Sequence, residues 1–375
     1  MSFFVISCGG TGGHLSPGIA LAEELAARGH ESVLLISQKK VDARLIEKYP
    51  HLRFERMPGS GFGWNPPVLA RFAVSQLKAV LFCRALLRSR RTDAVIGFGG
   101  FTSAPLVAAA RLLGVPAVLH EANRVPGRAV RTLGRFANRV YLPPGVSIAG
   151  LSPAVMRHTG LPVRREIGRI PAAAARRELG LDPAQRVLVV LGGSQGSSPL
   201  NDWTRKNLEA LAAAGVQVYC VTGLGKGSEG VQELKTKEGV PVRAVFQAFS
   251  DRMALLMCAA DLVLSRAGAG TIAELVRCDA PAILVPFPQA ADDHQRANAA
   301  YFEQQGGGIV VPQDQLPGLL PEVLTLIDND TVLKKFRTHL REMDRANSLE
   351  LIIGDIEELV RSRGSRATRD KAVLA

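Results

Sequence analysis

Aromatic residues, cysteines and long apolar runs are all scarce in this chain, and each shortage narrows what it can be. Phe, Trp and Tyr make up only 5% of 375 residues against a hydrophobic total of 47%. Such a core must be built from Val, Leu, Ile and Ala, which suits an α/β protein covered by alanine-rich helices. The five cysteines (Cys8, Cys83, Cys220, Cys258, Cys278) are scattered, with no C-x-x-C pair and no histidine at metal-ligand spacing. Neither a disulfide framework nor a structural zinc site is expected, and a reducing compartment is. No run of about 18 uncharged apolar residues occurs, and the N-terminus has no basic leader or small-residue cleavage site. The expectation is a protein neither secreted nor membrane-spanning.

Positive charge, by contrast, is plentiful. A net charge of +12 and a pI near 9.9 invite a polyanionic partner: nucleic acid, anionic lipid or a phosphorylated small molecule. No zinc finger, RNP-like aromatic strand or base-reading basic helix is visible, so nucleic acid is set aside. The length is excessive for one core and comfortable for two domains of about 150 to 190 residues.

Residues 3–7 read as an apolar strand, residues 8–13 as a glycine loop, and residues 17–28 have helical spacing ending at Gly29. Further strands fall at 32–37, 93–97 and 117–120. Their apolar runs are continuous, which places them in a parallel sheet buried on both faces. The pattern restarts beyond residue 160, with strands at 186–191, 216–221, 261–265 and 282–285. In each half a glycine loop follows the opening strand, and a later Asp-led strand (DAVIGFGG from Asp93, DLVLSRAGAG from Asp261) feeds a second. Two doubly wound Rossmann-like domains facing across a cleft follow: residues 1–160 and 161–341, linked around 160–169. A helix at about 342–361 is expected to pack back on the first domain, leaving 362–375 as a disordered tail.

Three glycine loops at strand ends carry the chemistry. In Gly9-Gly10-Thr11-Gly12-Gly13-His14, free amides and a positive helix end favour an oxygen-rich anion. A dinucleotide turn would need a glycine where Leu15 stands and an acid where the second strand ends in Ser37-Gln38. Gly192-Gly193-Ser194-Gln195-Gly196 and Gly97-Phe98-Gly99-Gly100 are the others, and ligands of open α/β sheets bind at such strand ends. Between Ser265 and Leu275 small residues lead to a helix expected near Thr271, where amides suit a diphosphate and Glu274 the ribose hydroxyls. Thr271-x-x-Glu274 also has the form of a capping box. His294 and Gln295 open another helix. Asp292-Asp293 is not a D-x-D metal site.

Taken in order, GGTGGH at Gly9, GFGGFTSAP at Gly97, VLHEAN at Val118, GLPVR at Gly160, GGSQG at Gly192, RAGAGTIAEL at Arg266 and HQRANA at His294 resemble the MurG family over nearly the whole chain. The resemblance implies a GT-B fold and an inverting transfer of N-acetylglucosamine (GlcNAc) from UDP-GlcNAc to lipid I, the undecaprenyl-pyrophosphoryl muramyl pentapeptide. The product is lipid II, for peptidoglycan synthesis. It implies donor contacts from Thr11, Gly12, Gly13, Asn123, Arg164, Ser194, Ser250, Ala269, Gly270, Thr271, Ile272, Ala273, Glu274 and Gln295, with no obligatory metal or other cofactor. The chain departs from the family pattern at Ala122, Leu161, Ser197 and Ser198. Another GT-B lipid glycosyltransferase and a UDP-GlcNAc epimerase are the alternatives.

In this reading His14 is the general base, with Glu121 and His120 as rivals. Amides at 268–271 and Arg164 neutralise the leaving diphosphate. Residues 64–91 mix Val68, Leu69, Phe72, Leu77, Val80, Leu81 and Phe82 with Arg71, Lys78, Arg84, Arg88, Arg90 and Arg91. That suits an anionic phospholipid surface or, as readily, a core helix with a solvated basic face. A peripheral place on the cytoplasmic face of the cell membrane, with cell-wall assembly proteins as possible partners, follows from the resemblance.

Overall fold

The computed structural model describes all residues except 10, 11, 38–45, 60–64, 194, 345, 346, 374 and 375, and all side chains except theirs and those of 12 and 364–373. The chain divides into unit 1, Met1–Arg164 with Ala346–Ala375, and unit 2, Arg165–Arg345. Arg164, expected in the second domain, thus falls in unit 1.

Unit 1 carries β1 (Phe3–Ser7), β2 (Glu31–Ile36), β3 (Phe54–Arg56), β4 (Ala94–Gly97), β5 (Ala117–His120), β6 (Arg139–Leu142) and β7 (Met156–His158). They form one parallel sheet in the order β3-β2-β1-β4-β5-β6-β7. The strands β1, β4 and β5 are buried almost end to end, as their unbroken apolar runs require. The strand order reverses its winding between β1 and β4, so the loops after these two strands lie at the switch point where doubly wound sheets bind ligands. The helix Ser348–Val373 returns to this unit and continues past Arg361, where a tail was expected. Its Ile352, Ile353 and Ile356 are buried against Phe4, Ile6, Leu15 and Ile19. Asp355, on the same helix, accepts a hydrogen bond from the Tyr141 hydroxyl at 2.8 Å and an ion pair from Arg139 at 3.2 Å.

Unit 2 repeats the plan. Its strands are β8 (Arg186–Leu191), β9 (Val216–Val221), β10 (Gly230–Lys235), β11 (Pro241–Gln247), β12 (Leu262–Ser265), β13 (Ala282–Leu284) and β14 (Gly308–Val310). The order is β10-β11-β9-β8-β12-β13-β14, parallel except for the β10–β11 pair, and the switch point lies between β8 and β12. The two units therefore present their glycine loops at equivalent places, which is the physical basis of the echo between the halves of the sequence.

Candidate active site

In unit 1 the first and third glycine loops meet. The Thr102 hydroxyl donates to the Gly9 carbonyl at 3.2 Å, and the Phe98 amide to the Ser7 carbonyl at 2.9 Å. Gly99 and Gly100 turn the chain at φ of +90° and +69°, a region open to glycine. His14, in the first turn of the helix Gly12–Ala27, rests on that turn. A methyl group at Gly100 would lie 3.3 Å from its imidazole Cε1.

His120 ends β5 beneath this surface, 1% exposed and with its ring centroid 5.2 Å from that of Phe98. Its Nε2 lies 2.8 Å from the Gly160 carbonyl. A carbonyl only accepts, so Nε2 carries the proton. Burial lowers the His120 pKa to about 4, and the nearby His14 pushes it the same way. His120 is therefore neutral at physiological pH.

The next residue, Glu121, points its carboxylate into the loop that follows. Its Oε1 accepts from the Asn123 backbone N–H at 2.8 Å and from Asn123 Nδ2 at 3.0 Å, while Oε2 accepts from the Gly127 N–H at 2.7 Å. These bonds fix where Asn123 stands. Arg164 is 5% exposed and donates to the Tyr49 hydroxyl at 3.2 Å.

In unit 2 the loop after β8 is packed so closely that side chains are excluded: a Cβ on Gly196 would overlap the Thr222 carbonyl oxygen, and one on Gly223 the Gly196 backbone. Asn201 clamps the two segments by donating to the carbonyls of Thr222 at 2.9 Å and Lys226 at 3.1 Å. The Ser265 hydroxyl and the Arg266 amide both donate to the Leu191 carbonyl at 3.2 Å, holding the loops after β8 and β12 side by side.

The helix after β12 runs from Ala269 to Arg277 with Gly268 as its N-cap. It begins two residues before the expected Thr271. Thr271 is consequently inside the first turn and cannot be the cap of a capping box, because the cap precedes the first helical residue. No side chain caps this end, and a Cβ on Gly270 would meet nothing within 4 Å. The run from Ala269 to Glu274 is partly exposed. The result is an open helix N-terminus with its amides facing outward.

Gln295, near the start of the helix His294–Gln304, accepts from the amides of Ala267 at 3.2 Å and Phe287 at 3.0 Å, so its carboxamide ties that helix to the glycine-rich loop. Ser250 is buried and its hydroxyl accepts from the Arg252 amide at 3.2 Å. Gly13 lies in the first turn of its helix. Thr11 and Ser194 lie outside the described residues.

Two residues not singled out as site residues from the sequence belong to this framework. Arg266 is 6% exposed, donates to the carbonyls of Val285 at 3.1 Å and Pro286 at 3.3 Å, and stacks over Phe287. Burial lowers its pKa from the usual guanidinium value. Asn298, one turn beyond Gln295, donates to the Ala267 carbonyl at 3.3 Å. An arginine leading into a run of small residues was a usable signal for the first; the second has only its helical spacing from Gln295.

Among the described residues no cluster of His, Cys, Asp and Glu is arranged to hold a metal ion.

Such paired sheets with anion-ready helix ends at their switch points define a class. Residues 4–142 match the glycosyltransferase family 28 N-terminal domain and residues 187–350 the family 28 C-terminal domain. The fold is GT-B. It is shared with the crystal structure of Acinetobacter baumannii MurG (TM-score 0.69, 24% identity, 96% of this chain and 100% of that one) and with the calicheamicin glycosyltransferase CalG4 (TM-score 0.65, 16%, 95% and 98%).

Among sequence relatives, the UDP-N-acetylglucosamine--N-acetylmuramyl-(pentapeptide) pyrophosphoryl-undecaprenol N-acetylglucosamine transferase of Opitutus terrae is 62% identical over 365 residues, 97% of each chain. The enzyme of the same name from Neisseria meningitidis serogroup C is 37% identical over 339 residues, 88% of this chain and 91% of that one. The chain belongs to the MurG family of glycosyltransferases.

Proposed function

We propose that the chain transfers GlcNAc from UDP-GlcNAc to the muramyl sugar of a lipid-linked pyrophosphoryl pentapeptide, with inversion at the anomeric carbon. The observation that carries the donor half is the uncapped helix N-terminus at Ala269, beside the glycine loop after β8. The first-turn amides of Ala269, Gly270 and Thr271 take the diphosphate, and Glu274 and Gln295 take sugar hydroxyls. Asn123, Arg164, Ser250, Ile272, Ala273 and the residues Thr11 to Gly13 and Ser194 complete the donor contacts expected from the family pattern.

As the anomeric carbon–diphosphate bond breaks, charge builds on the departing UDP. Oriented amides stabilise it without reorganising, since their dipoles are already fixed by the helix. His14 takes the proton of the attacking hydroxyl; the neutral His120 beneath it places no positive charge against the imidazole as it protonates. Glu121, with both oxygens engaged, serves the reaction by holding Asn123. Catalysis requires no metal in this reading, because the charge on the leaving group is met by amides and arginine.

The acceptor's lipid tail calls for a membrane-facing surface. The helix Pro66–Ser89 exposes Leu69, Val74, Leu77 and Leu81 together with Arg71, Lys78, Arg84 and Arg88, while burying Ala79, Cys83, Leu86 and Leu87. Trp64 lies outside the described residues. Among these residues no helix is long and apolar enough to cross a membrane. The exposed apolar stripe bordered by cations suits peripheral binding to anionic lipid on the cytoplasmic face.

The test is to follow UDP release from UDP-GlcNAc with and without a lipid I analogue, in the presence of EDTA. Acceptor-dependent release that survives EDTA is expected. Turnover of UDP-GlcNAc without acceptor would replace this reading with an epimerase, and release only with a different acceptor lipid would replace the substrate.

A further inference from the structure

Cys258 and Cys278 are 20 residues apart in sequence and converge in unit 2. Their thiols share one acceptor, the Gly168 carbonyl, at 3.3 Å and 3.7 Å, and are within hydrogen-bonding reach of each other. The other three buried thiols point elsewhere: Cys8 to the Leu35 carbonyl at 3.9 Å, and Cys83 to Met57 Sδ and Cys220 to Asn201 Oδ1, each at 3.7 Å. Burial pushes Cys83 and Cys220 up to about 12, so they are inert as nucleophiles.

Cys258 differs. It accepts from Cys278 and, at 3.4 Å, from the Ile170 amide, with the Arg169 guanidinium nearby, and its pKa falls to about 7 while that of Cys278 rises. Cys258 is thus the thiol that ionises more readily, and Cys278 the thiol that resolves it. Residues 165–170, which bring Gly168 and Ile170 against the pair, are irregular, with Arg165, Glu166 and Arg169 exposed and Ile167 buried.

Cys278 is also coupled to the helix Ala269–Arg277. Its amide donates to the Glu274 carbonyl at 3.0 Å, and the Ala280 amide to the Leu275 carbonyl at 3.0 Å. Between them Asp279 is held at φ +53°, with Oδ2 bound by Arg169 at 2.8 Å and Arg341 at 2.7 Å. Moving the Cys278 sulfur therefore moves the last turn of the helix whose first turn bears Gly270 and Thr271.

We propose that Cys258 and Cys278 are a reversible oxidation site, whose disulfide displaces the C-terminal turn of Ala269–Arg277 and weakens donor binding. The effect on the donor rests on the function proposed above; formation of the disulfide does not. With a peroxide as oxidant, the Cys258 thiolate attacks one oxygen, the O–O bond breaks, and the departing hydroxide leaves as water after taking a proton. Cys278 then attacks the resulting sulfenic sulfur, losing its own proton as the second water leaves. Two thiols and one peroxide give one disulfide and two waters.

The experiment treats the full, reduced chain with the two-electron thiol oxidant diamide and maps peptides by mass without reduction. A cross-link joining Cys258 to Cys278 is expected, with the KM for UDP-GlcNAc raised roughly tenfold, equivalent to about 1.4 kcal/mol of lost donor affinity. Dithiothreitol should restore it. The variants Cys258→Ser and Cys278→Ala should each keep the reduced KM and ignore diamide; either one suffices if the other fails to fold. No cross-link, a cross-link between other cysteines, or the expected cross-link without a change in KM would overturn the proposal. A reduced enzyme inert toward UDP-GlcNAc would instead overturn the donor assignment, leaving the mass map to decide the disulfide.

Discussion

Glu121 holds Asn123 twice, through the backbone amide at 2.8 Å and the side-chain Nδ2 at 3.0 Å, and reaches on to the Gly127 amide at 2.7 Å. A carboxylate held by three donors is a rigid brace. Glu121→Gln puts an amide NH₂ against one of these N–H groups, and loss of a charged acceptor for buried donors costs about 1–3 kcal/mol. Both the melting temperature and kcat should fall. If Glu121 were the base instead, kcat would collapse by roughly 10²-fold or more, well beyond what the modest loss of stability accounts for.

His14 is the group on which proton removal depends in the proposed mechanism. His14→Ala should reduce kcat by roughly 10²-fold or more with little change in donor KM. A near-normal rate would transfer the role to another residue.

His120 gives a pH dependence of stability. Its folded pKa of about 4 lies below the unfolded value of 6.5, so between these values the unfolded chain binds the proton and the folded chain does not. Stability from this group is complete above pH 6.5 and is lost as pH falls to 4, on the order of 3 kcal/mol in all. Urea midpoints at pH 7 and pH 5 should differ accordingly. His120→Gln keeps a donor for the Gly160 carbonyl but cannot titrate, and should flatten that difference.

Gly270 offers a case in which stability and affinity separate. The space around it is open, and alanine is favoured over glycine in a helix by about 0.5–1 kcal/mol. Gly270→Ala should therefore raise the melting temperature of the free enzyme while its methyl group obstructs the diphosphate. An unchanged KM for UDP-GlcNAc would move the donor away from this helix end.

Continuous apolar runs made the central strands legible: β1, β5, β8 and β9 fall where residues 3–7, 117–120, 186–191 and 216–221 placed them. The edge strand β10 and the three-residue strands β3, β7 and β14 were not. Met156–His158 and Gly230–Lys235 are half or fully exposed, so no burial had written a pattern into them. Motif order did not give the helix start: the extended Gly268, rather than Thr271, is the N-cap, and the helix begins two residues earlier than the threonine suggested. The inward carboxylate of Glu121 and the meeting of Cys258 with Cys278 were equally hidden, since both depend on where separate segments come together.

Unit 1 is assembled from both ends of the chain, and unit 2 from an unbroken stretch between them. During synthesis the ribosome delivers all of unit 2 before the helix Ser348–Val373 emerges. Until then Phe4, Ile6, Leu15 and Ile19 lack the cover of Ile352, Ile353 and Ile356, and the Tyr141 hydroxyl lacks Asp355. The first half to be made is therefore the last to be finished, and a nascent chain stalled before residue 348 would carry a completed unit 2 alongside a sticky, chaperone-ready unit 1.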